Sequence, residues 1–123
     1  MGHTVLIVED TPDIRSMMRL MLEFAGYRVL EAANGLEAVE VACEERPDAI
    51  LIDMSLPVMD GCQATRRIRE QPGLRAIPII ACTSYNRWEW RGKAIVAGCT
   101  DFLTKPFNSA GLVAVLSRHL KQS

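Results

Sequence analysis

Short, wholly apolar runs that stop on a polar group recur along this chain, with amphipathic stretches between them. Residues 5–8 (VLIV) end at Glu9-Asp10, residues 49–52 (AILI) at Asp53, and residues 77–82 (IPIIAC) at Thr83-Ser84. A run of that length without polar alternation reads as a strand buried on both faces. Such a strand needs helices above and below it, which points to parallel strands joined by helical crossovers. The polar group after each run then sits at the rim of the core. In an open parallel sheet these rims share one edge, where ligands bind.

The intervening stretches supply the helices. Thr11 is a candidate N-cap with Pro12 as first helical residue. Ile14, Met17, Met18, Met21, Leu22 and Ala25 then form one apolar stripe that ends at Gly26. A second strand falls within 27–32, and Asn34-Gly35 turns into a helix marked by Leu36, Val39, Ala42 and Cys43, closed by Arg46-Pro47. Residues 61–70 predict a third helix, with Ile68 inward and its arginines outward, broken by Gln71-Pro72-Gly73. A fourth, weakened by Gly92, is predicted over 86–97, ending at Gly98. A fifth strand around Phe102-Leu103 runs into Lys105-Pro106-Phe107. Asn108 or Ser109 caps a last helix carrying Leu112, Val115, Leu116 and Leu120. Five strands alternating with five helices in 123 residues make one α/β domain with helices on both faces of a parallel sheet.

Several function classes fall away. No apolar run approaches the ~20 residues that span a bilayer, and the N-terminus lacks a signal-peptide pattern, so a cytoplasmic location is expected. Cys43, Cys62, Cys82 and Cys99 show neither a C-x-x-C pair nor a zinc spacing, and read as small, reduced core residues. Residues 1–60 carry twelve acids against four bases, and residues 62–99 carry seven bases against two acids. No nucleic-acid motif accompanies that asymmetry. It reads as solvated helix faces, and no direct nucleic-acid binding is expected.

The strand ends gather chemistry. Glu9, Asp10 and Asp53 converge where strand order reverses, and three acids there repel one another unless a cation joins them. Mg2+ suits such oxygen ligands. Lys105 supplies a fixed positive charge and Thr83 a hydroxyl. A metal, a lysine, a hydroxyl and a carboxylate are the components of phosphoryl transfer, with the carboxylate as acceptor.

In these motifs the chain resembles the response-regulator receiver domain of two-component signalling, the CheY-like superfamily. The matching pieces are Val8-Glu9-Asp10, the stretch from Asp53 to Gly61 that includes Pro57, Thr83, and Lys105-Pro106-Phe107. The resemblance implies a flavodoxin-like (βα)5 fold with strand order 2-1-3-4-5. It implies that residues 1–123 form one response-regulatory domain, with no output domain expected in this chain. Asp53 is implied as phosphoacceptor from a sensor histidine kinase or phosphotransfer protein. Mg2+ would be held by Glu9, Asp10, Asp53 and the Ser55 backbone carbonyl, with Lys105 and Thr83 contacting the phosphoryl oxygens. Phe102 matches the family's switching aromatic. A downstream protein would be met through the fourth helix, fifth strand and fifth helix, by a monomer or a phosphorylation-dependent dimer. On this reading the chain is a switch, not an enzyme beyond intrinsic loss of its own phosphate.

Some positions vary the pattern. Phe102 has no hydroxyl, and Ser84 stands where a smaller residue is common. Tyr85 and Ser55 flank the route of an attacking water. Trp88 and Trp90, two apart, do not share a helix face; with Arg87, Arg91 and Phe102 they are candidate partner contacts. His3 and His119 are assigned no functional role. Two other readings stand beside this one. A haloacid-dehalogenase-type phosphatase needs a second Asp where Ser55 stands, and nucleotide-binding glycine motifs are absent. The main alternative is a receiver-like module that binds partners without phosphorylation.

Overall fold

The computed structural model describes residues 2–84, 87 and 89–120. Its elements alternate throughout: β1 (Thr4–Val8), α1 (Pro12–Phe24), β2 (Arg28–Ala32), α2 (Gly35–Glu45), β3 (Ala49–Asp53), α3 (Gly61–Arg69), β4 (Ile79–Ser84), α4 (Trp90–Ala97), β5 (Asp101–Lys105) and α5 (Ser109–His119). All strand pairs are parallel, in the order β2-β1-β3-β4-β5. This is the flavodoxin-like arrangement that the sequence implied.

The all-apolar strands feed two cores by the two-residue period of a strand. Leu6, Val8, Ile50, Ile52, Ile79 and Ala81 pack with residues of α2, α3 and α4 on one face. Val5, Ile7, Ala49, Leu51, Ile80, Cys82 and Leu103 pack with α1 and α5 on the other. β3 is buried along its whole length, which explains why its sequence shows no alternation.

Helix ends follow local chemistry. Asn34 and Asn108 accept the amides of Glu37 and Gly111 as N-caps. Asp60 and Gln63 form a reciprocal capping box at α3, which the sequence reading did not anticipate. Gly98, with φ 114°, closes α4 in the left-handed region that glycine adopts without strain. His119 ties the end of α5 to the start of β5 by an Nε2–Asp101 contact of 2.8 Å.

Two sequence expectations change. On α1, Met18 and Leu22 are buried, but Ile14 and Met17 are 39% and 57% exposed. They border an apolar groove against Pro106 and Phe107. On α2 Ala42 is buried and Val39 and Cys43 pack against the core as expected, but Ala38 is buried too and Leu36 is exposed. α4, Trp90–Ala97, lies inside the predicted range, and Asn86 at the start of that range lies outside the described residues.

Tyr27 is buried, and its hydroxyl finds no hydrogen-bond partner among the described residues. A buried unpaired hydroxyl costs stability that a phenylalanine would not. Tyr27→Phe should therefore leave the urea midpoint unchanged or raise stability by up to about 1 kcal/mol. A clear loss would show that the hydroxyl is satisfied.

Candidate functional site

The register of the sheet brings the polar strand ends together. Val8 pairs with Ile52, so Glu9, one residue further, stands beside Asp53. Asp53 pairs with Cys82 on β4, and Ser84 with Lys105 on β5. Lys105 starts two residues above the level of Asp53 and reaches back over β4. Its Nζ donates to Glu9 Oε1 at 2.9 Å and to Asp53 Oδ2 at 3.1 Å. The remaining oxygens meet backbone donors: Ser55 N–H donates to Asp53 Oδ1 at 3.1 Å and Thr11 N–H to Glu9 Oε2 at 3.1 Å. Glu9 and Asp53 are buried, while Asp10 is exposed at the rim.

Burial works against charge on all three central groups, and their partners decide the outcome. Burial pushes the Asp53 carboxyl above the ordinary range, aided by the Glu9 charge and only partly opposed by Lys105 and the Ser55 amide. For Glu9 the bonds from Lys105 and Thr11 outweigh burial, and its carboxyl lies below the usual range. Lys105 is likewise held above its usual value, since the two carboxylates outweigh its burial. The site is thus two carboxylates bound to one ammonium.

One oxygen each of Glu9, Asp10 and Asp53 lies within 4.8 Å of the others. These are hard donors at a spacing suited to a small divalent cation, and the chemistry of the set fits Mg2+. The acids, Ser55, Thr83 and Lys105 line a cavity of 340 Å³. Arg87 and Trp90 border it too, a placement the sequence did not indicate. Trp90 is half-buried against the core, with the Lys93 ammonium 5.1 Å from its ring. Trp88 and Tyr85, singled out in the sequence, lie outside the described residues.

Thr83 is buried and donates its hydroxyl to the Arg87 carbonyl at 3.3 Å. Phe102 is half-buried against the core formed with α2–α4. The Arg91 guanidinium lies 5.3 Å from its ring and donates to Thr104 at 3.2 Å. Phe102 is two residues from Thr104, which pairs with Thr83.

The loop from Asp53 to α3 is tightly bounded. A methyl at Gly35 would come within 2.0 Å of the Met59 carbonyl oxygen, and one at Gly61 within 2.5 Å of the Asp53 carbonyl oxygen. Between them, Met59 N–H donates to the Pro57 carbonyl at 2.7 Å and Val58 sits at φ 68°. That φ is unfavourable for a β-branched residue. The Lys105–Pro106 peptide is cis.

Cys82 lies beside Asp53 in the ladder, and burial pushes its thiol up to about 12. Cys99 is pushed up to about 11 by the same cause. Thiolates are the reactive form, so iodoacetamide at pH 8 should modify the partly exposed Cys43 well before Cys82. Peptide mass spectrometry of the native protein checks this; early labelling of Cys82 contradicts the burial argument.

Residues 5–117 match the family model for the response regulator receiver domain. The chain belongs to this receiver family. The receiver is 38% identical over 122 residues to the phosphate regulon transcriptional regulatory protein PhoB of Pseudomonas aeruginosa, covering 99% of this chain but 53% of PhoB. The chain therefore spans about half the length of that relative. It is 37% identical to the chemotaxis protein CheY of Halobacterium salinarum, covering 95% of this chain and 96% of that protein. Among solved structures, the receiver domain of sensor histidine kinase PA1611 from Pseudomonas aeruginosa superposes with a TM-score of 0.90. That domain is 44% identical over 97% of this receiver and 98% of its own chain, and carries a magnesium ion coordinated in its active site cleft. Receiver domains of this family are phosphoacceptor switches of two-component systems rather than conventional enzymes. No helix among the described residues is long and apolar enough to cross a membrane.

Proposed function

We propose that this receiver takes a phosphoryl group onto Asp53 from the phosphohistidine of a sensor histidine kinase or phosphotransfer protein. The observation that carries the reading is the Asp53 carboxylate at the sheet edge, bonded to Lys105 at 3.1 Å and grouped with Glu9 and Asp10. A carboxylate oxygen of Asp53 attacks phosphorus and forms an acyl phosphate. The P–N bond to the donor imidazole breaks, and its electron pair stays on that nitrogen, which takes up a proton.

Glu9, Asp10, Asp53 and the Ser55 backbone carbonyl would hold Mg2+. When bound, the cation offsets the negative charge that builds on the transferring group. Lys105 pairs with one phosphoryl oxygen. Thr83 exchanges its bond to the Arg87 carbonyl for a bond to another. Phe102 then repacks behind Thr83, changing the face formed by α4, β5 and α5. A downstream protein reads that face, with Arg87, Trp90 and Arg91 near the contact. The setting that fits is the cytoplasm, with the chain monomeric or forming a dimer when phosphorylated.

Incubation with acetyl phosphate and Mg2+ tests this. The intact mass should rise by one phosphoryl group, in wild type and not in Asp53→Asn. No gain in wild type overturns the reading and leaves a module that binds partners without phosphorylation.

A further inference from the structure

The acidic turn after β1 is held from outside the site. Glu9 N–H donates to the Ala32 carbonyl at 3.1 Å, extending the ladder to β2 by one bond. The Glu9 carbonyl accepts from Arg15 Nη1 at 2.7 Å. Arg15 is itself fixed, because its Nε donates to Glu31 Oε1 at 2.8 Å. Glu31 stands on β2 beside Ala32, and its other oxygen accepts from Arg19. A guanidinium can do this because its donors form a rigid planar fork. One prong is locked by a carboxylate, so the other has a set direction.

The Glu9 carbonyl belongs to the peptide that leads into Asp10. A peptide unit is planar, so fixing its oxygen fixes the path of the chain into Asp10. That path decides where the Asp10 carboxylate lies relative to Asp53. Three carboxylates within 4.8 Å repel one another, and Asp10, exposed at the rim, is the one with room to swing away. We propose that Arg15 is a positioning residue for the cation site: braced by Glu31, it pins the Glu9 carbonyl and so keeps Asp10 within ligating reach of Asp53. The inference rests on the Mg2+ reading given under Proposed function. Arg15 touches neither cation nor phosphoryl group. It acts through the backbone, as outer hydrogen bonds orient metal ligands elsewhere.

Arg19 provides the control. It also bonds Glu31, and additionally Glu23 and the Val29 carbonyl, but it has no bond to the Glu9–Asp10 turn. Mg2+ affinity of the unphosphorylated protein is measured by calorimetry for wild type, Arg15→Ala, Arg15→Lys and Arg19→Ala, with the melting temperature of each in EDTA. Arg15→Ala should weaken Mg2+ binding by ~10-fold or more. Lysine, which offers no fork, should restore only part of it. Arg19→Ala should lower the melting temperature by a similar amount and leave the Mg2+ affinity within about twofold, since only the fork of Arg15 reaches the turn.

In parallel, Arg15→Ala should raise the Mg2+ concentration for half-maximal phosphorylation by acetyl phosphate. A general loss of structure would lower the rate at every Mg2+ concentration without moving that midpoint. Equal Mg2+ affinity in wild type and Arg15→Ala, or equal weakening in Arg19→Ala, overturns the inference while leaving phosphorylation of Asp53 intact. A wild type that binds no Mg2+ overturns both readings together.

Discussion

Lys105→Met will cost the chain about 3 kcal/mol of stability at pH 7 without divalent cations. The Lys105 side chain is 25% exposed, but its partners Glu9 and Asp53 are only 3% and 12% exposed. Removing it leaves two buried carboxylates facing each other without the ammonium between them. The loss should depend on pH, and its sign follows from the shifts. Without the ammonium both carboxyls move up, so the folded variant favours their protonated forms. The variant should regain stability as pH falls through the carboxylate range. In wild type the Lys105 value is raised from its ordinary 10.5. Its contribution is therefore fully present below 10.5 and lost as pH climbs through the folded value. Urea melts at pH 7 and pH 5 check this. A loss under 1 kcal/mol, or one indifferent to pH, would mean that the three-way contact contributes little.

Asp53→Asn will act in the opposite direction on stability while abolishing phosphorylation. The Asp53 carboxyl is raised from its ordinary value of 3.8 by burial, so its ionised form is disfavoured by folding. The cost is absent when the group is protonated, appears as pH rises through the window between unfolded and folded values, and is complete above it. An amide keeps an acceptor for the Ser55 N–H and removes the charge. The variant should be more stable than wild type at pH 7 in EDTA. The gap should close as the solution is acidified. Mg2+ should reverse the order, because a ligand that binds only the folded wild type adds about 2.7 kcal/mol at a hundred times its Kd. Chemical denaturation with and without Mg2+ measures both effects. A variant less stable than wild type in EDTA would show that the ion pair with Lys105 outweighs burial.

The sequence made the sheet legible because burial on both faces removes polar residues from the strands. Residues 5–8 and 49–52 read as buried strands, and although Asp53 alone could have been a turn cap, the same grammar at Glu9-Asp10 placed the acids on one edge. Helix faces were less legible. The stripe on α1 has the right period, but the period does not say where the buried arc is centred. Met18 and Leu22 took the centre, and Ile14 and Met17 fell to its edge. On α2 the stripe included Ala42, which packs, but it passed over Ala38 and gave Leu36 a place that the sheet does not cover.

At the site, carboxylates and lysine stood out because each follows a strand. Arg15 did not, because it lies within a helix and reaches the site through a backbone oxygen. Its signal is its place one turn after Thr11, facing Glu31 on the neighbouring strand, and that needs the strand order to be read. Asp60 was a capping signal present in the sequence, with Gln63 three residues on.

The close approaches at Gly35 and Gly61 make the pocket mechanically lopsided. The segment that carries Ser55 is wedged between the first turns of two helices, with carbonyl oxygens where any added methyl would go. If Asp53 takes a phosphoryl group as proposed, that group would meet a tightly packed wall on that side. Room for such a group would have to come from the other walls of the pocket, at Thr83 and Ser84 or at the Asp10 rim.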